Sequence, residues 1–129
     1  MVAWLVLVTG GAVGAVCRYL QTLAVQHLAS FDFPVGTLSV NLSGSLLIGV
    51  LAGLIQLDLL QGSEHGLLWL AFGVGFCGSY TTLSSWSLDT LRLGLEGRPW
   101  LAAINLVLTL LACLFCVTLG FLGGRALVG

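Results

Sequence analysis

The chain of 129 residues contains no lysine, and its four arginines and five acidic residues make up only 7% of it. Soluble domains carry roughly 25% charged residues, so water is not the solvent this composition is built for. Without lysine, and with a net charge of −1, there is no basic surface to hold nucleic acid. No acid pair, Ser/His/Asp set or phosphate-cradling loop is visible, which argues against an enzyme. The two histidines, His27 and His65, are expected in loops and lack partners at metal-ligand spacing.

What is present is apolar. Hydrophobic residues reach 58%, and the mean hydropathy is +1.10. Three windows are free of formal charge: 33–57 with 25 residues, 66–88 with 23, and 99–124 with 26. A bilayer core of about 30 Å needs roughly 20 helical residues, so each window can span it. The N-terminal window is uncharged through residue 17, is interrupted by Arg18, and continues apolar to about Val25. Met1-Val2-Ala3-Trp4 offers no basic start for a signal peptide, so this stretch reads as a first span containing Arg18. The expectation is one all-α membrane domain over residues 1–129, with four helices at about 3–25, 35–57, 66–91 and 100–124.

Short connections at about 26–35, 58–65 and 93–99 make sequential helices antiparallel neighbours. Pro34 stands near a helix start, Gln61-Gly62-Ser63-Glu64-His65-Gly66 reads as a polar turn, and Glu96-Gly97-Arg98-Pro99 closes the third connection. Alternating helices place Arg92, Arg98 and Arg18 toward one side and Arg125 toward the other. That bias is too thin to fix one orientation under the positive-inside rule.

Three motifs invite a chemical reading. Cys113-x-x-Cys116 has redox spacing, yet lies in an apolar window with no group nearby to lower a thiol pKa, and reads as two buried packing residues. Asn41-Leu42-Ser43 matches a glycosylation acceptor at a depth where none can be glycosylated. Gly10-x-x-x-Gly14 serves equally for packing inside one subunit or for a dimer face.

Polar residues at membrane depth are costly unless they line a cavity or find partners. Thr37, Asn41 and Ser45 recur at four-residue spacing and share one face of the second span. Amide and hydroxyl donors without charge suit an anion that must shed water, and interhelical hydrogen bonding is an equal alternative. The third span is more pointed: Gly73, Gly75 and Gly78 precede a run of hydroxyls through Ser79, Tyr80, Thr81, Thr82, Ser84, Ser85 and Ser87. Such a run predicts a helix broken near Gly78–Thr81 at mid-membrane. A break there is tolerated only where its freed backbone groups are satisfied, which favours an ion site over plain packing.

Three segments together resemble the Fluc (CrcB) family of bacterial fluoride channels. Gly10-Gly11-Ala12-Val13-Gly14-Ala15-Val16-Cys17-Arg18-Tyr19 resembles G-G-x-x-G-A-x-x-R-[YW]. Pro34 through Ser45 resembles P-x-G-T-L-x-V-N-x-x-G-[SC], and Gly75 through Asp89 resembles G-F-x-G-G-[FLY]-T-T-F-S-T-F-S-x-E. The resemblance implies an antiparallel, dual-topology homodimer in the cell membrane with two fluoride pores. It implies a structural Na⁺ at the centre, held by backbone carbonyls of Gly78 and Thr81. It places Asn41, Thr82, Ser84 and Ser85 along the fluoride path, with Asn105 and Thr109 as fourth-helix polar positions and Arg18 near a vestibule. Leu83 and Trp86 stand where the family has phenylalanines, and Asp89 where it has glutamate. An aromatic edge carries partial positive charge that can face an anion; Leu83 has none, while Trp86 keeps an edge and adds an indole N–H donor. Two other readings remain: a slow or non-conducting partner of a paralogous chain, or a proton-coupled multidrug transporter. The latter needs an acid in the first span, which holds only Arg18.

Overall fold

The computed structural model describes residues 1–28, 33–55 and 63–127, excluding the side chains of 55 and 63–65. Helix α1 (Val2–Leu28) and α2 (Val35–Ile55) are followed by a composite third span. This comprises α3 (Ser63–Leu68), a π-helical segment (Trp69–Cys77), α4 (Gly78–Tyr80) and α5 (Leu83–Leu95). Helix α6 (Pro99–Ala126) completes the chain. Four stretches are long and apolar enough to cross a membrane: Val2–Leu28, Val35–Leu54, Gly66–Leu95 and Pro99–Ala126. Among them the third is the least apolar, at mean hydropathy 1.3 against 2.5 for the fourth. The polar work of the protein is concentrated there.

The expected spans hold and their ends move. Helix α1 runs three residues past Val25, so His27 belongs to its last turn and not to a loop. His65 likewise falls within α3. Helix α5 extends to Leu95, carrying Asp89 and Arg92. Its end is a Schellman turn: Gly97 sits at φ 76°, its N–H bonds the Gly94 carbonyl at 3.3 Å, and the Arg98 N–H bonds the Leu93 carbonyl at 3.0 Å. Pro99 then opens α6 at a position whose N–H would have no helical partner. Residues 29–32 and 56–62 lie outside the described part, so the expected end of α2 at 57 and much of the 26–35 and 58–65 connections do too.

Glycine decides which helices touch. Helix α2 packs most extensively on α6, and the contact is reciprocal. A Cβ on Gly49 or Gly53 would strike the carbonyls of Val117 and Phe121. One on Gly120 or Gly124 would strike those of Leu46 and Val50. Two small-x-x-x-small faces thus let the backbones meet, which is how helices associate where lipid removes the hydrophobic drive. The same device joins α1 to the π segment: Gly10 lies against the Ala71 carbonyl, Gly14 against that of Phe76, and Gly75 against that of Leu7. Gly10-x-x-x-Gly14 therefore packs within the subunit.

The interior inverts the pattern of a soluble domain. Its buried apolar side chains are Val40, Cys77, Tyr80 and Leu93, and beside them Thr37, Asn41, Thr82, Asn105 and Thr109 are equally buried. Large apolar side chains cover the outside along α1, α5 and α6. This suits a chain whose solvent is hydrocarbon and whose interior must satisfy every polar group.

Candidate functional site

The third span breaks at Thr81 and Thr82, whose backbones are extended (φ −77°, ψ 159° and φ −148°, ψ 118°). The break falls at the end of the stretch expected from sequence. What the sequence did not show is the π winding of Trp69–Cys77 before it, where i→i+5 bonding widens the helix.

Side chains hold the break open by taking the hydrogen bonds that would close it. In an uninterrupted helix the Thr82 N–H would bond the Gly78 carbonyl, and the Ser85 N–H would bond that of Thr81. Instead the Thr82 N–H donates to Asn41 Oδ1 at 2.8 Å, and the Ser85 N–H donates to Thr82 Oγ1 at 3.1 Å. Thr82 is thereby the N-cap of α5. The carbonyls of Gly78 and Thr81 lose their helical donors. Both residues line a cavity of about 310 Å³. Gly78 is exposed at its edge, with nothing within 4 Å of where a Cβ would stand.

Asn41 clamps the break from both sides, because its Nδ2 also donates to the Thr82 carbonyl at 3.0 Å. A backbone donor on one side and a backbone acceptor on the other fix which end of the amide is oxygen. The second N–H of Nδ2 has no partner among the described residues, and Asn41 lines the cavity. Ser45, one turn along α2, also lines it and makes no hydrogen bond within the described residues. Two uncharged donors thus remain uncommitted in one cavity. Thr37, on the same face of α2, is separated from them: it donates to Asp89 Oδ2 at 2.7 Å beside a second cavity of about 320 Å³.

The remaining expected residues divide. Thr82 Oγ1 donates to Ser85 Oγ at 3.1 Å and lies 3.2 Å from the exposed Ser84 Oγ, so the hydroxyl stretch is a connected cluster at the start of α5. Leu83 and Trp86 both line the cavity, and Leu83 is 72% exposed. The Trp86 indole N–H, expected as a free donor, is taken by the Asn105 carbonyl at 3.1 Å. Only its ring edge remains to face an ion. Asn105 is 1% exposed and donates to Thr90 Oγ1 at 2.8 Å, which in turn donates to the Trp86 carbonyl at 2.8 Å. Asn105 therefore braces α6 against α5, whereas Thr109 reaches the cavity. Arg18 is half-buried on α1 and lines neither cavity. Cys113 is half-buried and faces the cavity with Cys77, while Cys116 is half-buried away from it; all four cysteines are free.

Gln21, on α1, carries no motif that marks it in the sequence. Its Nε2 lies 3.3 Å from both Ser39 Oγ and Ser43 Oγ, and its Oε1 accepts from the Tyr80 hydroxyl. An amide inside an apolar span, three residues from Arg18, was the available signal.

Comparison with known proteins agrees with this architecture. The family model described as CrcB-like protein, Camphor Resistance (CrcB), matches residues 5–121. A relative from Shewanella sp. (strain ANA-3) is 44% identical over 116 residues, covering 90% of each chain. One from Pseudoalteromonas translucida (strain TAC 125) is 40% identical over 111 residues, covering 86% of this chain and 90% of the relative. One from Rhodospirillum rubrum is 41% identical over 123 residues, covering 93% and 92%. Each of the three is named a fluoride-specific ion channel. With the family model spanning nearly the whole chain, the four-helix fold and the break agree with one conclusion: the chain belongs to the CrcB family.

Proposed function

We propose that this chain is a fluoride channel of the cell membrane that lets cytoplasmic fluoride leave passively. The observation that carries the reading is the cavity at the break, where Asn41 keeps one N–H and Ser45 keeps its O–H uncommitted beside a capped helix start. A small, strongly hydrated anion crosses hydrocarbon only if donors replace its water, and neutral donors release it where a full cation would trap it. Asn41 and Ser45 supply such donors in the cavity, and the N-terminus of α5 beside it adds partial positive charge. The apolar walls of Leu83 and the Trp86 ring exclude water and sharpen these interactions.

The same reading includes a second, inverted copy of the chain. Leu83 and Gly78 are exposed at the break, which leaves that surface available for a partner. The freed carbonyls of Gly78 and Thr81 fit a hard cation such as Na⁺, since hard cations prefer oxygen and a two-fold axis would double the ligand set. A bound Na⁺ would supply a fixed positive charge near the anion path.

The test is fluoride efflux from liposomes containing only this chain. The expected result is fluoride efflux with chloride retained; no fluoride flux from a correctly assembled protein would overturn the reading. A slower partner-subunit role is favoured by one observation, the Leu83 side chain without an aromatic edge. It predicts flux that rises when a paralogous chain is added.

A further inference from the structure

A second polar cluster lies outside the pore cavity and touches the break from behind. Tyr80, 6% exposed, is the last residue of α4 before the extended pair Thr81–Thr82. Its hydroxyl donates to Gln21 Oε1 and lies 2.7 Å from Ser43 Oγ. Gln21 Nε2 lies 3.3 Å from Ser43 Oγ and Ser39 Oγ, and Ser39 donates to the Gly36 carbonyl at 2.8 Å. One arrangement satisfies every group: Gln21 donates to both serines, Ser43 donates to Tyr80, and Tyr80 donates back to Gln21. The result is a closed three-residue ring across α1, α2 and the third span. Only a side chain with both donor and acceptor can close it, which glutamine provides.

Helix α2 consequently grips three successive residues of the break. Ser43 holds Tyr80, Asn41 holds Thr82, and between them Gly44 admits the Thr81 side chain and the Tyr80 ring. The Phe76 ring stacks on Tyr80 at 5.3 Å, tying the ring to the π segment. We infer that the Gln21–Ser43–Tyr80 ring is a positioning element that fixes the backbone of the break and thereby the anion path on its other side. Tyr80 and Gln21 are positioning residues, and neither touches the ion. This rests on the fluoride reading for its transport readout, but its backbone readout stands apart from it.

The test compares wild type, Tyr80→Phe and the apolar double Tyr80→Phe/Gln21→Met in liposomes, with hydrogen–deuterium exchange of residues 81–85. Tyr80→Phe should keep the dimer, cut fluoride flux about tenfold, the scale of one lost buried hydrogen bond, and speed exchange of that segment at least as much. The double leaves no buried polar group unsatisfied, because the Ser43 hydroxyl, released from Tyr80, turns its single hydrogen to the Ser39 carbonyl 2.8 Å away. It should recover thermal stability while flux and exchange stay impaired. Wild-type flux and exchange in Tyr80→Phe would overturn the inference. So would recovery of both in the double, since the ring would then only satisfy its own members. If Tyr80→Phe does not assemble, Ser43→Ala, which opens the ring while leaving Tyr80 bonded to Gln21, takes its place: slower flux with faster exchange upholds the inference, and wild-type values of both overturn it. If wild type itself carries no fluoride, the functional reading fails and exchange alone decides the role of the ring.

Discussion

The two halves of the third span are held by different chemistry. The first half, through Phe76, lies against α1 by backbone apposition at Gly10, Gly14 and Gly75, with the Tyr80–Gln21 bond only at its end. The second half, α5, is tied to α6 by side chains, through Trp86, Thr90 and Asn105. Backbone apposition is tight and indifferent to polarity, so it suits a scaffold. Hydrogen-bonded side chains place particular atoms, so they suit a site. Where the two regimes meet, at Thr81–Thr82, the helix opens and Asn41 occupies the gap. Rigid packing on one side and polar bracing on the other let a costly break persist at membrane depth.

The sharpest way to break this contrast is to add volume on the scaffold side. Gly14→Val places carbon against the Phe76 carbonyl and should abolish folded protein, measured as loss of the monodisperse peak in detergent. Gly78→Ala, with nothing within 4 Å, should fold normally. The next largest effect belongs to the cap. Thr82→Val keeps shape but removes the acceptor for the Ser85 N–H, and should cost about 1 kcal/mol, seen as a lower melting temperature. Thr82→Ser should restore it.

Smaller effects fall on the cavity walls. Leu83→Phe adds an aromatic edge to an exposed position and should raise fluoride flux roughly two- to tenfold, the worth of a contact of about 0.5–1.5 kcal/mol. An unchanged rate would leave Leu83 a packing residue only. Trp86→Phe should change flux less, because the indole N–H is already committed to the Asn105 carbonyl and the edge survives. If flux instead falls as far as Leu83→Phe raises it, the bond to Asn105 is what orients the ring.

Much of this was legible in the sequence for identifiable reasons. Charge-free windows report spans directly because charge is expensive in hydrocarbon, and the glycine and hydroxyl run from Gly73 to Ser87 reported the break because no comfortable membrane helix carries it. The π winding was not legible, since it depends on how the Trp69–Cys77 backbone settles against Gly10 and Gly14 rather than on local preference. The glycine seam between α2 and α6 was written as Gly49/Gly53 and Gly120/Gly124, but small-residue spacing does not name its partner. Hydrogen-bond direction was equally hidden. Asn41 and Trp86 both read as donors to an ion, and only the fold reveals that Asn41 keeps one N–H while Trp86 keeps none.

The claim that Asn41 both opens the break and serves the ion path is tested most directly by fluoride efflux from liposomes carrying Asn41→Asp. The substitution preserves size and the acceptor for the Thr82 N–H, so the break should survive. It removes both amide donors and sets a negative charge in the cavity. Fluoride flux should collapse while the protein elutes as wild type does; wild-type flux from that variant would contradict the account.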